Sequence, residues 1–259
     1  MGGKFSGFLI CSDFDGTLTC DGRTVPRANL EAIERFESEG GLFTVASGRF
    51  PGQIAAIPDL CINTFAVAIN GSVIADISER PPRLLRTAEV DREVVRRLGE
   101  KFDEMTDIDA LIIHSAEDSV TLRHGAPENP ELIRRALSRP VYKFILMRDP
   151  VITPEIREYA MREFPEVEFE QSWPAGLEGR PKNAGKGNAV AKLVELLGGR
   201  KKIHTVIAVG DYENDISMIK CADIGYATAN AAENVKAAAD RVTVSNRDGA
   251  IAAIIKDLG

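Results

Sequence analysis

This sequence of 259 residues has little of what a disulfide framework or a zinc site requires. It contains three histidines and four cysteines, and no two cysteines are spaced as a C-x-x-C pair. Cys11 and Cys61 lie in apolar stretches, where a cysteine is more often a small core residue than half of a disulfide. We therefore expect free thiols and a cytoplasmic location, because a reducing compartment disfavours disulfides.

Long hydrophobic runs and an excess of positive charge are also absent. No apolar stretch approaches the roughly 18 residues of a membrane span, and the first residues lack the apolar core of a signal peptide. Lys and Arg number 32 against 39 Asp and Glu, which gives a net charge of -7. Nucleic acids and anionic membranes favour partners of the opposite sign, so we expect neither as a partner.

What the sequence does contain is a regular alternation of apolar runs and amphipathic stretches. Strands are predicted at FLIC (8–11), LFTVA (42–46), FAVAI (65–69), TVIAV (205–209), DIGYA (223–227) and RVTV (241–244). Helices are predicted at 26–39, 188–197, about 214–220 and about 249–258. Continuous apolar strands that alternate with helices are typical of an α/β fold, with a Rossmann-like parallel sheet covered on both faces.

The middle of the chain, residues 83–182, has a different texture and predicts an inserted α+β domain. Its predicted helices are 89–105, 128–138 and 153–164, and its predicted strands are 110–115, 119–124, 142–147 and 167–172. The segments at 79–83 and 173–187 are rich in Pro and Gly and are predicted as linkers. The predicted division is a core of residues 1–82 and 183–259, with a cap of residues 83–182.

Polar residues follow five of the six predicted core strands. The segments are SDFDGT (12–17), SGR (47–49), NGS (70–72), GDYEND (210–215) and TAN (228–230). The carboxyl ends of parallel strands meet at one edge of a sheet, so these residues are expected to converge on one crevice. Loops are polar in any protein, but four aspartates at the ends of only two strands indicate a functional site.

These four aspartates, Asp13, Asp15, Asp211 and Asp215, would form a cluster of negative charge that needs a cation. The available ligands are hard oxygens, and none of the three histidines lies in these loops. Mg²⁺ is the cation that such a site prefers, because it accepts a few carboxylates and shares a substrate phosphate. The loops do not match the calcium-binding pattern of an EF-hand.

Lys186 follows a glycine-rich segment and is predicted to open a helix. The segment GRPKNAGKG (179–187) lacks the spacing of a P-loop, and Gly187 stands where that motif has Ser or Thr. A lysine at the mouth of an anionic crevice can bind a phosphate and reduce the charge on a nucleophilic carboxylate. The alternative is an ordinary solvated lysine. The sequence has no G-x-S-x-G and no G-x-G-x-x-G, so a serine hydrolase or a dinucleotide enzyme has no support.

Together these motifs resemble those of the haloacid dehalogenase (HAD) superfamily of phosphatases. DFDGTL (13–18), SGR (47–49), KG (186–187) and GDYEND (210–215) match its four motifs in order and spacing. The chain is most similar to the Cof-type branch, which inserts its cap between the second and third motifs. INGSVIAD (69–76) and RDGAIAAII (247–255) also resemble that branch. The resemblance covers about 8–82 and 183–258.

The resemblance implies a role for each matching residue. Asp13 would attack phosphorus and form an aspartyl-phosphate, and Asp15 would protonate the leaving alkoxide and then activate water. Mg²⁺ would be held by the Asp13 carboxylate, the Asp15 backbone carbonyl and Asp211, while Asp215 would order its waters or join the shell. The phosphoryl oxygens would be held by Ser47, the Gly48 N–H, Lys186 and Asn214.

The sequence departs from the family pattern at two places. Ala229 stands where the family usually has Gly, and an alanine resists a positive φ, so a differently shaped loop is expected before Asn230. The return segment before Lys186 is also longer than is common, which makes Lys182 a minor rival for its role. The helix-opening position and the following glycine favour Lys186.

The leading hypothesis is a Mg²⁺-dependent phosphatase of a small phosphorylated metabolite, either a sugar phosphate or a related phospho-acid. A phosphosugar mutase or phosphotransferase with the same two aspartates is the close alternative. A phospho-sensor without turnover is weaker, because it would not use Asp15. A monomer or a small homo-oligomer is expected. Specificity should lie in the cap, whose candidates are His114, Glu117, Arg123, His124, Lys143 and, at the return linker, Trp173.

Overall fold

We describe the fold from a computed structural model, which covers residues 3–60 and 62–259; Cys61 lies outside the described residues. The strands are β1 (Phe8–Ser12), β2 (Leu42–Val45), β3 (Ala66–Ala68), β4 (Val73–Asp76), β5 (Arg83–Thr87), β6 (Ala110–His114), β7 (Ser119–Leu122), β8 (Lys143–Met147), β9 (Val167–Trp173), β10 (Gly176–Pro181), β11 (Thr205–Gly210), β12 (Ile224–Ala227) and β13 (Arg241–Val242). The helices are α1 (Arg27–Ser38), α2 (Pro51–Ala55), α3 (Arg92–Lys101), α4 (Asn129–Leu137), α5 (Pro154–Glu163), α6 (Lys186–Leu196), α7 (Ile216–Cys221), α8 (Glu233–Ala238) and α9 (Ala250–Asp257). No helix among the described residues combines the length and apolarity that a membrane crossing needs.

A parallel sheet in the order β13-β12-β11-β1-β2 forms the core of the protein. Ile10 packs with α1 and α9 on one face, whereas Leu9 and Cys11 pack with α6 and α7 on the other. Both faces are covered, which explains why the strands are continuously apolar. The predicted α/β, Rossmann-like core is confirmed.

The strand order reverses at β1, because β2 pairs on one side of it and β11 on the other. Ser12, at the end of β1, is in register with Val209 of β11 and Val45 of β2. A crevice opens outside the carboxyl ends of the strands at such a reversal, and ligands bind there. The topology therefore brings the segments that follow β1 and β11 side by side.

The third predicted strand, 65–69, is present as β3, but its main partner is an antiparallel strand and only one parallel bridge links it to the core sheet. β3 pairs antiparallel with β4, and β4 with β5, while a single bridge between Ala46 and Val67 joins β3 to the edge next to β2. The turn between β3 and β4 contains Asn70 with φ 51° and Gly71 with φ 89°. These left-handed conformations reverse the chain within a few residues, so β3 continues into a hairpin.

The inserted segment forms a second, antiparallel sheet in the order β7-β6-β8-β10-β9. Helices α3, α4 and α5 cover one face of it, where Leu111, Phe144 and Leu177 form the apolar core. Side chains alternate along a strand, so His114, Lys143 and Glu178 point away from these helices. Their face is turned toward the core domain.

The linker predicted at 173–187 is wrong over much of its length. Residues Gly176–Pro181 form a fully buried strand between β8 and β9. Its glycines mark close packing rather than flexibility, because a Cβ at Gly179 would lie 2.1 Å from the Phe144 ring. The division into core and cap stays a prediction, and the pairing of β5 with β4 favours a first boundary after Thr87.

Candidate active site

The loops after β1 and β11 lie against each other at the reversal of the sheet. The Asp13 N–H donates to the carbonyl of Val209 at 2.9 Å, which extends the pairing of the two strands by one residue. Gly16 has φ +87°, and a Cβ there would lie 2.4 Å from the Asp211 carboxylate. The glycine that follows Asp15 therefore lets the two acidic loops approach closely.

Three carboxylates meet where these loops touch. The side chains of Asp13, Asp211 and Asp215 offer oxygens that all lie within 4.8 Å of one another. Asp215 is held by the N–H groups of Asp211 and Tyr212, at 2.9 and 3.1 Å. The Thr17 hydroxyl donates to Asp211 at 3.0 Å. Backbone and hydroxyl donors thus fix the cluster before any ligand binds.

Lys186 is the buried cation of this cluster. Its Nζ donates to Asp13 and to Asp215, both at 2.6 Å, and its side chain is fully buried. Lys186 is the first residue of α6. The start of this helix packs closely on Gly71, because a Cβ at Gly71 would lie 2.2 Å from the Gly185 carbonyl oxygen. The rival Lys182 is exposed. The geometry of the contacts therefore favours Lys186.

The electrostatics of the cluster show an excess of negative charge. Burial, and then the Asp215 carboxylate, raises the pKa of Asp13 well above its usual value. Burial and Asp215 likewise raise the pKa of Asp211 to about 6. Burial alone would lower the pKa of Lys186, but the two carboxylates it contacts raise it. One ammonium faces three carboxylates, so the donor set fits a hard divalent cation.

Asp15 lies outside this cluster. Its carboxylate is half exposed and accepts two hydrogen bonds from Arg49, at 2.9 and 2.6 Å. Arg49 also donates to the carbonyl of Gly22, and its guanidinium lies over the Phe14 ring. Two aspartates that look alike in the sequence therefore have different surroundings: Asp13 contacts a fully buried lysine, and Asp15 contacts an arginine that is 28% exposed.

The other predicted phosphate-binding residues lie around the same loops. Gly48 and Asn214 line a cleft together with Asp13, Asp15 and Asp211. Ser47 is buried beside Gly48, and its hydroxyl accepts from the Arg49 N–H at 3.2 Å. The structure thus clusters four of the predicted residues: Asp13, Asp211, Asp215 and Lys186. It places Asp15, Gly48 and Asn214 on the surface of one cleft. Ser47 is buried next to this cleft and does not line it.

The cleft has a volume of about 390 Å³ and lies between the core loops and the inserted sheet. The inserted sheet contributes His114, Lys143, Ile145, Ser172, Trp173 and Glu178 to its wall. Of the predicted cap candidates, His114, Lys143 and Trp173 therefore line the site. Glu117 and Arg123 are exposed elsewhere, and His124 stacks on Phe102.

Sequence reasoning missed several residues of this site. Thr17 and Arg49 lie inside the quoted motifs, and their contacts to Asp211 and Asp15 could have been inferred from the pairing of acids with nearby donors. Glu178 lies in the segment predicted as a linker, and nothing in its local pattern signals a buried carboxylate.

Asn230 donates to the carbonyl of Gly16 at 2.9 Å, and Ala229 has no positive φ. The substitution at Ala229 is thus compatible with an Asn230 contact.

A buried network joins the inserted sheet to the loops of the core sheet above the cluster. The Glu178 carboxylate accepts from Lys143 at 2.5 Å, from Asn70 at 2.6 Å and from the Ser172 hydroxyl. Asn214, which follows β11, donates to Ser172 at 2.9 Å. At the rim, Arg157 of α5 forms a bidentate pair with Glu213 at 2.9 and 2.6 Å.

Residues 10–255 match the family of haloacid dehalogenase-like hydrolases. A 5-amino-6-(5-phospho-D-ribitylamino)uracil phosphatase of Bacillus subtilis is 30% identical over 96% of this chain and 94% of its own. A pyridoxal phosphate phosphatase of Escherichia coli is 26% identical over 95% of this chain and 97% of its own. A solved sugar phosphatase of HAD subclass IIB has a TM-score of 0.79 and 23% identity, over 97% of this chain and 98% of its own.

An α/β core with an acidic cluster at its strand ends and an inserted sheet above it defines a hydrolase of the HAD type. The chain belongs to the haloacid dehalogenase-like hydrolases, and its resemblance to the Cof-type branch is confirmed. It is an enzyme of the phosphatase class.

Proposed function

We propose that this enzyme hydrolyses a small phosphorylated metabolite through an aspartyl-phosphate on Asp13, with Mg²⁺ as its cofactor. The observation that carries the proposal is the contact of a buried lysine with Asp13 at the edge of a cleft of about 390 Å³. Two similar proteins support it, because the uracil-derivative phosphatase and the pyridoxal phosphate phosphatase are both named for small phosphorylated compounds. A core of two chain segments with a specificity cap between them is the domain organisation that we infer.

The chemistry of the first step follows from the surroundings of Asp13. One of its oxygens would attack phosphorus, and the bond from phosphorus to the leaving oxygen would break. Lys186 would hold Asp13 in place and offset the repulsion between the carboxylate and a phosphate dianion. Gly48 and Asn214, on the same cleft, would bind phosphoryl oxygens, and Ser47 would support the loop or turn toward the phosphate.

Asp15 is suited to handle the proton. It lies two residues beyond Asp13 and lines the same cleft, and Arg49 fixes its direction with two hydrogen bonds. It would donate a proton to the departing alkoxide and then take one from the water that hydrolyses the aspartyl-phosphate. The other product is inorganic phosphate.

The cation would be held by the Asp13 and Asp211 carboxylates, with Asp215 and the Asp15 carbonyl completing its surroundings. When bound, Mg²⁺ supplies positive charge for the phosphoryl oxygens. The chain prepares the site by itself, since Thr17 and two N–H groups already orient Asp211 and Asp215.

The experiment is a panel of phosphomonoesters assayed for phosphate release with and without Mg²⁺. We expect Mg²⁺-dependent release by the wild type, none by Asp13→Asn, and unchanged release by Asp107→Asn, an exposed aspartate of the cap. Full activity in Asp13→Asn would refute the proposal, and so would a wild type that releases no phosphate from any compound. Isomer formation that outruns phosphate release would instead identify a mutase.

A further inference from the structure

The cap side of the cleft contains a buried ion pair that the proposed chemistry does not use. Lys143 and Glu178 lie on the adjacent strands β8 and β10, with Nζ and the carboxylate 2.5 Å apart. Their side chains are 3% and 1% exposed. Burial alone would raise the pKa of Glu178, but Lys143 and the hydrogen bonds from Ser172 and Asn70 hold it below its usual value. Glu178 is therefore ionised, and it cancels the charge of Lys143.

Lys143 has one N–H group left over from its contacts with the described residues. An ammonium has three N–H groups, of which one contacts Glu178 and another the Gly48 carbonyl at 3.3 Å. Lys143 lines the cleft. It can therefore donate to a substrate hydroxyl, while its net charge is already balanced.

His114 is the neighbour of Lys143 across the sheet, in direct register with it. Its two ring nitrogens are buried and have no partner among the described residues, and its ring packs on Phe50 at 4.9 Å. Burial, and then the nearby Lys143, lowers the pKa of His114 to about 3. The imidazole is therefore neutral and offers one donor and one acceptor.

The other charged side chains on the described wall of the cleft either form ion pairs or belong to the acidic cluster at Asp13. Arg49 is paired with Asp15, and Asp13 and Asp211 belong to the cluster that Lys186 and the cation would neutralise. The rest of the wall is uncharged. A second anionic group on a substrate would thus lose its hydration without gaining an unpaired cation.

We propose that the Glu178–Lys143 pair sets the net charge of the leaving-group side of the cleft to zero. The enzyme therefore selects phosphomonoesters whose leaving group is uncharged and bears hydroxyls over those whose leaving group carries a second anion. This inference rests on the proposed phosphatase function. Within that function it favours a neutral polyol or sugar phosphate over a phospho-acid. Glu178 determines specificity by neutralising Lys143, and His114 and Lys143 supply the hydrogen bonds.

The test compares substrates that differ by one carboxylate: glycerol 3-phosphate with 3-phosphoglycerate, and glucose 6-phosphate with 6-phosphogluconate. We expect the wild type to have the higher kcat/KM for the neutral member of each pair. Glu178→Gln leaves Lys143 without its counter-charge, so we expect the ratio to shift toward the anionic member by about tenfold or more, the usual effect of one nearby charge. Where a pair is not turned over, the two compounds are compared by their inhibition constants against p-nitrophenyl phosphate hydrolysis, and we expect the same shift in the ratio of their binding.

The double variant Lys143→Met/Glu178→Gln removes both charges and should return the preference to the neutral member. Glu170→Gln is the matched control, because Glu170 is a buried carboxylate opposite Glu178 on β9 that pairs with Arg180 instead. Assays below neutral pH keep an unpaired ammonium charged. A purely structural role for Glu178 would lower both activities without moving their ratio.

His114→Lys covers the case in which Glu178→Gln does not fold, since it adds a cation to the same wall and leaves the ion pair intact. It should shift the ratio in the same direction. A wild type that prefers the anionic substrates overturns the inference, and so does an unchanged ratio in an active Glu178→Gln or His114→Lys variant. A wild type that hydrolyses no phosphomonoester would refute the phosphatase function instead.

Discussion

The two aspartates after β1 show how neighbouring residues acquire different chemistry. Asp13 is 6% exposed and shares Lys186 with Asp215, whereas the Asp15 side chain is 51% exposed and turns toward Arg49. The sequence places both residues at a strand end but contains nothing local that separates their surroundings. That separation depends on Lys186, which lies 173 residues from Asp13 in the chain.

Replacing Lys186 should be costly for stability as well as for activity. In Lys186→Met, Asp13 and Asp215 stay buried without their shared cation, and breaking a buried pair in this way costs about 3–5 kcal/mol. We expect urea unfolding to show this loss without added metal, and Mg²⁺ to restore part of it. Lys182→Met, at an exposed lysine of the same segment, is the control. Equal stability of the two variants would contradict the contacts described for Lys186.

Glu170 should make the stability depend on pH. Burial raises its pKa to about 7, although Arg180 opposes the shift. A carboxyl with a raised pKa stabilises the fold most below its ordinary value near 4.5, and this contribution is lost as the pH rises through about 7. The free energy of unfolding of the wild type, minus that of Glu170→Gln, should therefore fall between these two pH values. A difference that stays flat or rises over this range would exclude the shift.

At the scale of elements, periodicity predicted the parts of the fold whose burial is uniform. The strand 8–11 and the helix 26–39 were predicted close to β1 and α1, because a parallel strand buried on both faces and an amphipathic helix carry strong patterns. β10 escaped prediction, since Gly and Pro in the segment 176–181 normally indicate a loop. The hairpin of β3 and β4 also escaped, although the Asn70-Gly71 pair at its turn is typical of left-handed turn conformations.

The packing of β10 leads to a prediction about Gly179. A Cβ at this position would lie 2.1 Å from the Phe144 ring, which is itself in the core of the inserted domain. Gly179→Ala should therefore destabilise the protein by about 1–3 kcal/mol, the usual cost of overpacking. Gly52→Ala is the matched control, since a Cβ at Gly52 meets no atom within 4 Å. Thermal unfolding distinguishes them, and similar midpoints would contradict the tight contact.

At the scale of the whole molecule, the site depends on contacts between two sheets whose relation the local sequence does not encode. The sequence motifs identified the core side of the cleft, including Asp13, Asp211, Asp215 and Lys186. The cap side depends on which face of the antiparallel sheet turns toward the core, and this is set by the long-range pairing of β6, β8 and β10. The sequence could therefore propose His114 and Lys143 as residues of the site, but it could not distinguish them from the cap candidates that lie elsewhere.

The Arg157–Glu213 pair should help to hold the cap in place. It joins α5 to the residues directly before Asn214, and both side chains are about 30% exposed. In Arg157→Gln we expect faster hydrogen exchange of the backbone around residues 213–215 and a weaker dependence of that exchange on salt. Arg148→Gln, which breaks a pair with Asp109 inside the cap, is the control. Equal exchange around 213–215 in both variants would contradict this role.

The position of β1 in the core sheet has a consequence for biosynthesis. β1 leaves the ribosome before β11, its hydrogen-bonding partner along its whole length, which is made almost 200 residues later. Until then one edge of a strand that is apolar over four of its five residues is open, and such an edge can pair with other chains. The nascent protein can complete its inserted sheet before its core sheet. We therefore expect chains released before residue 210 to associate readily and to have no catalytic activity.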